Sequence, residues 1–339
     1  MNEFYNKLKY FEETEKIPSE IYYHYTSLDS LFYIVDSKTF RLTSLKSSND
    51  AKELFYKTDE FINDISKILE ETNEQKCKEF LEIIIKSIEI HNDVFLKLCK
   101  EKRNSYALCL SEKRDNLTHW DRYAVGCTGV CIAFNVSALK VLIQRMAFEI
   151  IGDGLFDVGK IIYSKNGRED FITRLILRVL VLFETKSNYS QEKRNNIILD
   201  NGYLYAACTY RIVKIFSKVD SFIDEDEIRL YHEDISIKDC NKLIKGMENQ
   251  ISDELYKNLN THFLELVDLL NIEKENFYFS KNGIRGYKNL CLSEVWGSGV
   301  IPEIILGPMC VQNKSELRKF LDANGLQGTK ISVSKVPIR

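Results

Sequence analysis

Proline and glycine are scarce: 4 Pro and 15 Gly in 339 residues. So few chain breakers favour long uninterrupted elements, mostly helices, and exclude a Gly/Pro-rich fibrous or disordered chain. No C-x-x-C pair occurs, and the nine cysteines are odd in number. With only five dispersed histidines, no zinc pattern can be assembled from neighbouring ligands, and reduced, mostly buried thiols are expected. Neither G-x-G-x-x-G nor G-x-x-x-x-G-K-[ST] is present, which removes the usual phosphate-loop arguments. No apolar run approaches membrane-spanning length. The most hydrophobic stretch, LILRVLVLF at 175–183, is short and contains Arg178. The opening residues, MNEFYNKLKYFEETEK, are charged and lack the apolar centre of a signal peptide. A cytoplasmic protein without membrane partners is the expectation.

What the chain does contain is a globular composition, 44% hydrophobic and 29% charged, with 18 Tyr and 19 Phe. A net charge of −3 gives no broad electrostatic reason to bind nucleic acid or anionic membrane. Three stretches, roughly 50–102, 167–218 and 237–273, carry apolar residues at helical spacing; Phe55, Phe61, Ile62, Ile65, Ile68 and Leu69 illustrate it. Shorter β-rich segments lie around them: 106–110, 129–135, 158–164, 227–232, 302–308 and the closing KISVSKVPIR. With no repeat or linker, the expectation is one α+β domain over 1–339. Its mixed or antiparallel sheet would come from 21–47, 104–164, 215–235 and 277–339, with helical insertions at 50–102, 167–214 and 237–273.

Polar residues gather at four places within this pattern. In Ile21–Ser27, alternate spacing puts His24 and Thr26 on one strand face, where both could donate to one ligand; a histidine bonded to a neighbouring strand is the plainer reading. Ser48–Glu53 reads as a helix start capped by Asn49 or Asp50, with Glu53 completing the box. Between Cys109 and Tyr123, Trp120 and Tyr123 would share a helix face beside Ser111, either to stack on a planar ring or to close the core. In Phe222–His232, four consecutive acids precede a strand. Extended geometry there would align Glu225, Glu227 and Arg229, so that Arg229 could orient a carboxylate, whereas a solvated charge run is the ordinary alternative.

In this order, the H-Y-T-S strand, N-D-x-x-E turn, C-x-S…D-N…W-x-x-Y segment, E-x-E-x-R strand and closing I-x-E-I-I-L-G-P and S-K-V-P-I-R resemble an uncharacterised bacterial domain-of-unknown-function family, from about residue 21 to the end. That family in turn resembles the ADP-ribosyltransferase superfamily, especially its H-Y-E group, which includes the poly(ADP-ribose) polymerases and the toxin DarT. Tyr25 stands where the polymerases favour glycine. The resemblance implies an ADP-ribosyltransferase-like sheet and NAD as substrate without a metal. The activity implied is transfer of ADP-ribose to a nucleic-acid or protein acceptor, or NAD hydrolysis, in a toxin or anti-phage effector with an antitoxin or defence partner. It further implies that His24, Tyr25 and Thr26 hold NAD, that Ser111, Trp120 and Tyr123 line the nicotinamide site, and that Glu227, or else Glu225, is the key carboxylate. Arg229 would brace that carboxylate or meet the pyrophosphate. Two other readings are a non-catalytic nucleotide or nucleic-acid sensor, and a metal-dependent nuclease built on the 224–227 acids.

Overall fold

The computed structural model describes residues 21–47, 54, 56–100, 104–138, 156–186, 190–233, 275–280 and 283–338. The Ser48–Glu53 cap and the 237–273 helical stretch lie outside them. The chain runs β1 (Ile21–Thr26), α1 (Leu28–Ser37) and β2 (Thr39–Ser44). Three helices follow, α2 (Thr58–Glu71), α3 (Gln75–Ile90) and α4 (Asn92–Lys100). After them come β3 (Ser105–Ser111), α5 (Leu117–Tyr123), β4 (Val130–Asn135) and β5 (Phe156–Lys160). Two long helices, α6 (Lys165–Lys186) and α7 (Gln191–Phe216), lead through a 3-10 turn at Asp220–Glu225 into β6 (Glu227–Glu233). The last elements are β7 (Asn276–Ser280), β8 (Gly283–Cys291), β9 (Glu303–Leu306), α8 (Lys314–Ala323) and β10 (Lys330–Val333).

The ten strands form one open mixed sheet in the order β10-β9-β4-β1-β3-β2-β8-β7, with β6 on β3 and β5 on β6. Named strands pair antiparallel except β9 with β10. The fold is therefore α+β. Its strands are short and buried on both faces where they are central: every residue of β6 is buried, charged ones included, as are the first five, all apolar, of β4. Both faces are covered, so the alternation typical of a half-wet sheet is lost there.

β3 is the place where the sheet forks. One of its edges pairs with β6 over its whole length, Ser105↔Glu233 to Ser111↔Glu227. A strand has only two edges, so β1 and β2 share the other: β1 meets it at Tyr23↔Ser111, and β2 at Thr43↔Ala107 and Ser44↔Tyr106. Between these contacts the stretch Leu108–Leu110 has no strand partner on that edge among the described residues. Two wings diverge from it, β1-β4-β9-β10 and β2-β8-β7.

Burial explains which helices lie where. On one face, the amphipathic α2 to α4 and the long α6 and α7 pack over Ala107 and Tyr231 around Phe61, Ile84, Phe95, Val213 and Phe216. Gly202 of α7 lets that helix approach α3, since a Cβ there would meet Ile84 Cδ1 and Ser87 Cβ at 3.0 Å. On the other face, α1 and α8 cover Leu108, Leu110, Ile132 and Ile304. α1 is started by the Ser27 hydroxyl, which accepts from Ser30 N at 3.0 Å, and stopped by Lys38 in the left-handed region. The α1 connection carries the chain from one wing to the other across the fork.

Candidate functional site

The fork opens into a cleft of about 780 Å³, a volume suited to a small-molecule or cofactor ligand. β1, β2 and β3 give it a floor, α5 and the 3-10 turn one wall, and β7–β8 the other. Its chemistry gathers where β6 begins. Asp226 takes a left-handed conformation (φ 40°), which a short polar side chain tolerates, and thereby reverses the chain between Glu225 and Glu227. The turn is pinned at Glu225 O, which accepts from Ser111 Oγ at 2.8 Å and has His119 Nε2 at 3.1 Å. Both glutamates then converge on one cation: Lys218 Nζ donates to Glu225 Oε2 at 2.7 Å and to Glu227 Oε2 at 3.1 Å.

Each carboxylate has a further partner of its own. Tyr123 donates its hydroxyl to Glu225 Oε1. Arg229 donates from Nε to Glu227 Oε1 at 2.9 Å, and its remaining reach is anchored on Ile215 O at 2.6 Å. Two acids and two bases thus share a nearly dry pocket: the side chains of Glu227 and Arg229 are 3% and 1% exposed. Burial alone would push the Glu227 carboxyl up, but Arg229 and Lys218 outweigh it and hold the pKa below the ordinary value. Glu227 is therefore an anion at neutral pH. Burial and Glu225 together push the Tyr123 phenol well up, which keeps it a donor.

His24 sits at the fork itself. Its Nδ1 donates to Cys109 O at 3.1 Å, on the stretch of β3 that neither wing covers, and its ring edge meets Phe40 at 5.8 Å. Burial lowers its pKa, so the ring is neutral and Nε2 is left as an acceptor. The bond to a neighbouring strand anticipated for this histidine is present, and so is its place in the cleft.

The structure brings His24, Tyr25, Thr26, Ser111, Tyr123, Glu225 and Glu227 to one cleft wall or floor. Tyr25 is largely structural there: its hydroxyl donates to Lys113 O at 2.7 Å and accepts from Asn116 N, which holds the entry to α5. Arg229 braces Glu227 and lies behind it, fully buried, so the bracing alternative describes its position.

Three readings are settled by the geometry. Of the two open for Trp120, it closes the core and does not line the cleft beside Tyr123. It is 0% exposed, packs edge-on against Tyr25 at 4.9 Å, and donates Nε1 to Asp115 Oδ1 at 2.7 Å, whereas Tyr123 is 38% exposed. A three-residue step turns the helix by 300°, and that remainder carries Tyr123 off the buried side of this two-turn helix. Its ring neighbour is His119, four residues back. The alignment of Glu225 and Glu227 along one strand is also replaced, since Glu225 ends the 3-10 turn and a left-handed residue separates the two. Nor is the acidic run solvated throughout: Glu225 and Glu227 are buried, and only Asp224 and Asp226 face outward in it.

Nothing in the sequence singles out Lys218. It lies seven and nine residues before the glutamates, a spacing that no single helix or strand would bring together. The nearest signal is that a buried acid pair needs a cation. Among the described residues no group of three or more His, Cys, Asp or Glu is placed to hold a metal ion, and no helix is long and apolar enough to cross a membrane.

A family described as a protein of unknown function, DUF2971, matches residues 119–230. That third of the chain contains His119, Tyr123, Lys218, Glu225, Glu227 and Arg229, hence one whole side of the cleft. β1 with His24, and Ser111, lie outside it. No curated protein and no solved structure matches the chain.

Proposed function

We propose that the protein breaks the nicotinamide–ribose bond of NAD and passes ADP-ribose to a macromolecular acceptor or to water. The observation that carries this reading is the convergence, on one cleft, of a Glu227 held anionic at neutral pH, a second carboxylate Glu225, a phenol donor Tyr123 and a neutral His24. As the C1′–N bond breaks, nicotinamide departs neutral with the bonding pair and positive charge grows on the ribose. A fixed carboxylate stabilises that charge without needing to reorganise. Glu227, clamped by Arg229 and Lys218, has that role. Glu225 is less enclosed and takes the proton of the attacking acceptor, while Tyr123 moves from Glu225 to cover the departing ring. His24 and Thr26 hold the far part of the dinucleotide from β1. A role as a toxin or anti-phage effector, and a neutralising or defence partner, follow from the family resemblance alone.

Mass spectrometry of purified protein incubated with NAD, alone and with cell lysate, tests the reading. Free nicotinamide and an ADP-ribosylated product are expected; Glu227→Gln abolishes both, and Glu225→Gln suppresses transfer more than hydrolysis. NAD left intact under both conditions would overturn it. The full pairing of both carboxylates favours a second reading, a non-catalytic nucleotide sensor, which would give ligand-dependent thermal stabilisation with no turnover.

A further inference from the structure

The end of the cleft away from the carboxylates is built from β2, β8 and β7, and the side chains it presents are of one kind. Register pairs Arg41 with Asn289, Thr43 with Tyr287, and Tyr278 with Arg285, so these six residues share a single sheet face. All six line the cleft. The Arg41 guanidinium lies over Tyr278 and Tyr287, 5.6 and 5.0 Å from their ring centres, and the two rings meet edge to face at 5.7 Å. Arg41 is exposed, and none of its donors meets an acceptor among the described residues.

Among the described residues, the charge on this face has one sign. It carries Arg41 and Arg285, while the described residues of β2, β7 and β8 that share it include no acid; Glu275 lies against Gly286 on the reverse side. Arginines alone would suit any anion. Two tyrosines beside an arginine suit an anion that also carries planar rings. Base stacking on aromatic faces and guanidinium contact with phosphate are two of the interactions by which proteins hold single strands. A duplex would bury its bases and leave the rings without a partner.

We infer that the β2–β8–β7 face is a binding platform for single-stranded nucleic acid, which runs from it toward Glu225. The assignment of the strand as the acceptor rests on the NAD reading proposed above; binding itself does not. It is also compatible with the net charge of −3, because the recognition is local to one face.

Fluorescence anisotropy with short labelled homopolymers of thymidine and uridine tests this directly. Binding is expected that exceeds binding to duplex, weakens as salt rises, and falls about tenfold or more in Arg41→Glu and in Tyr287→Ser. Tyr287→Phe, which keeps the ring, binds like the parent protein, and circular dichroism confirms that each variant is folded. Absence of single-strand binding at low salt, or unchanged binding by Arg41→Glu, overturns the inference. A Tyr287→Ser variant that needs more NAD for nicotinamide release, in a protein that binds no strand, assigns the platform to the dinucleotide instead and leaves the NAD reading standing. Strand binding retained in Glu227→Gln, with no nicotinamide released by any variant, sustains the platform and removes the NAD reading.

Discussion

Arg229 lies against Glu227 with Nε 2.9 Å from Oε1, and both side chains are shut off from water. Residues two apart on a strand share a face, so the pair is adjacent by construction, and Ile215 O fixes the far end of the guanidinium. Removing one member of a buried ion pair leaves the other short of a partner. Arg229→Met leaves Glu227 with Lys218 as its remaining cation and is expected to destabilise the fold by about 3 kcal/mol, with the Glu227 pKa rising from its depressed value. Arg229→Lys recovers only part of this, because an ammonium cannot hold Glu227 and Ile215 O together. Urea denaturation of the two variants measures the difference.

Acid should destabilise the protein in two stages. The folded-state pKa of His24 and His119 is lowered by burial, so the unfolded chain binds protons first as pH falls below the ordinary value of 6.5. Stability declines from there toward their depressed values. Glu227 is likewise depressed relative to 4.5; its contribution is complete above that pH and is lost as pH falls through its folded pKa. Replacing His24 with Asn removes part of the first stage and leaves the second. Denaturation midpoints collected between pH 7.5 and about pH 3 show which stage moves.

Tyr123 offers a hydroxyl and a ring, and these separate by substitution. Tyr123→Phe removes the donor to Glu225 and is expected to cost about 1 kcal/mol in stability, since Lys218 still holds the other oxygen. On the NAD reading, Tyr123→Phe retains affinity for the dinucleotide, whereas Tyr123→Ala loses it as well. A split between KM and kcat in the nicotinamide-release assay distinguishes ring from hydroxyl.

Trp120 is expected to matter for folding alone. Trp120→Ala empties a site walled by Tyr25, Cys131 and Ile305 and takes one of three donors from Asp115, which Ser334 Oγ and Lys335 N still hold, for a cost of about 3–5 kcal/mol. Activity per folded molecule should be preserved in the milder Trp120→Phe. Gly129→Ala is the backbone counterpart: a Cβ there would collide with Thr26 O and Ala124 O, carbonyls that cannot swing away. Its loss of stability, about 2 kcal/mol or more, is read from the same denaturation curves.

The elements legible from sequence are those whose burial leaves a simple mark. β3, β4 and β9 are short runs rich in apolar and β-branched residues because both of their faces are covered, and in β6 only Ile228, Leu230 and Tyr231 carry that mark. The β7–β8 hairpin left no such mark. NFYFS and GIRGYKNLC mix exposed Phe277, Phe279 and Ile284 with charged and glycine residues, since they form a sheet margin with the cleft on one face and exposed side chains on the other. α8 escaped for a similar reason: within KSELRKFLDA only Leu317 and Leu321 are buried. At the site, His24, Ser111, Tyr123 and the two glutamates were visible as residue types near strands. Lys218 was not, because it is brought in by a turn rather than by periodicity, and Trp120 was misplaced because α5 is too short for its faces to be read from spacing.

The fork at β3 makes the cleft a property of the one core that underlies both wings. Its walls belong to wings that meet along this edge through only a few residue pairs, Tyr23 with Ser111 on one side and Thr43 and Ser44 with Ala107 and Tyr106 on the other. The gape between them is consequently set by how each wing packs beneath, through Phe134 and Ile304 on one and Leu42 and Leu290 on the other. Substitutions that trim those side chains, well removed from any carboxylate, would retune how wide a ligand the jaws admit.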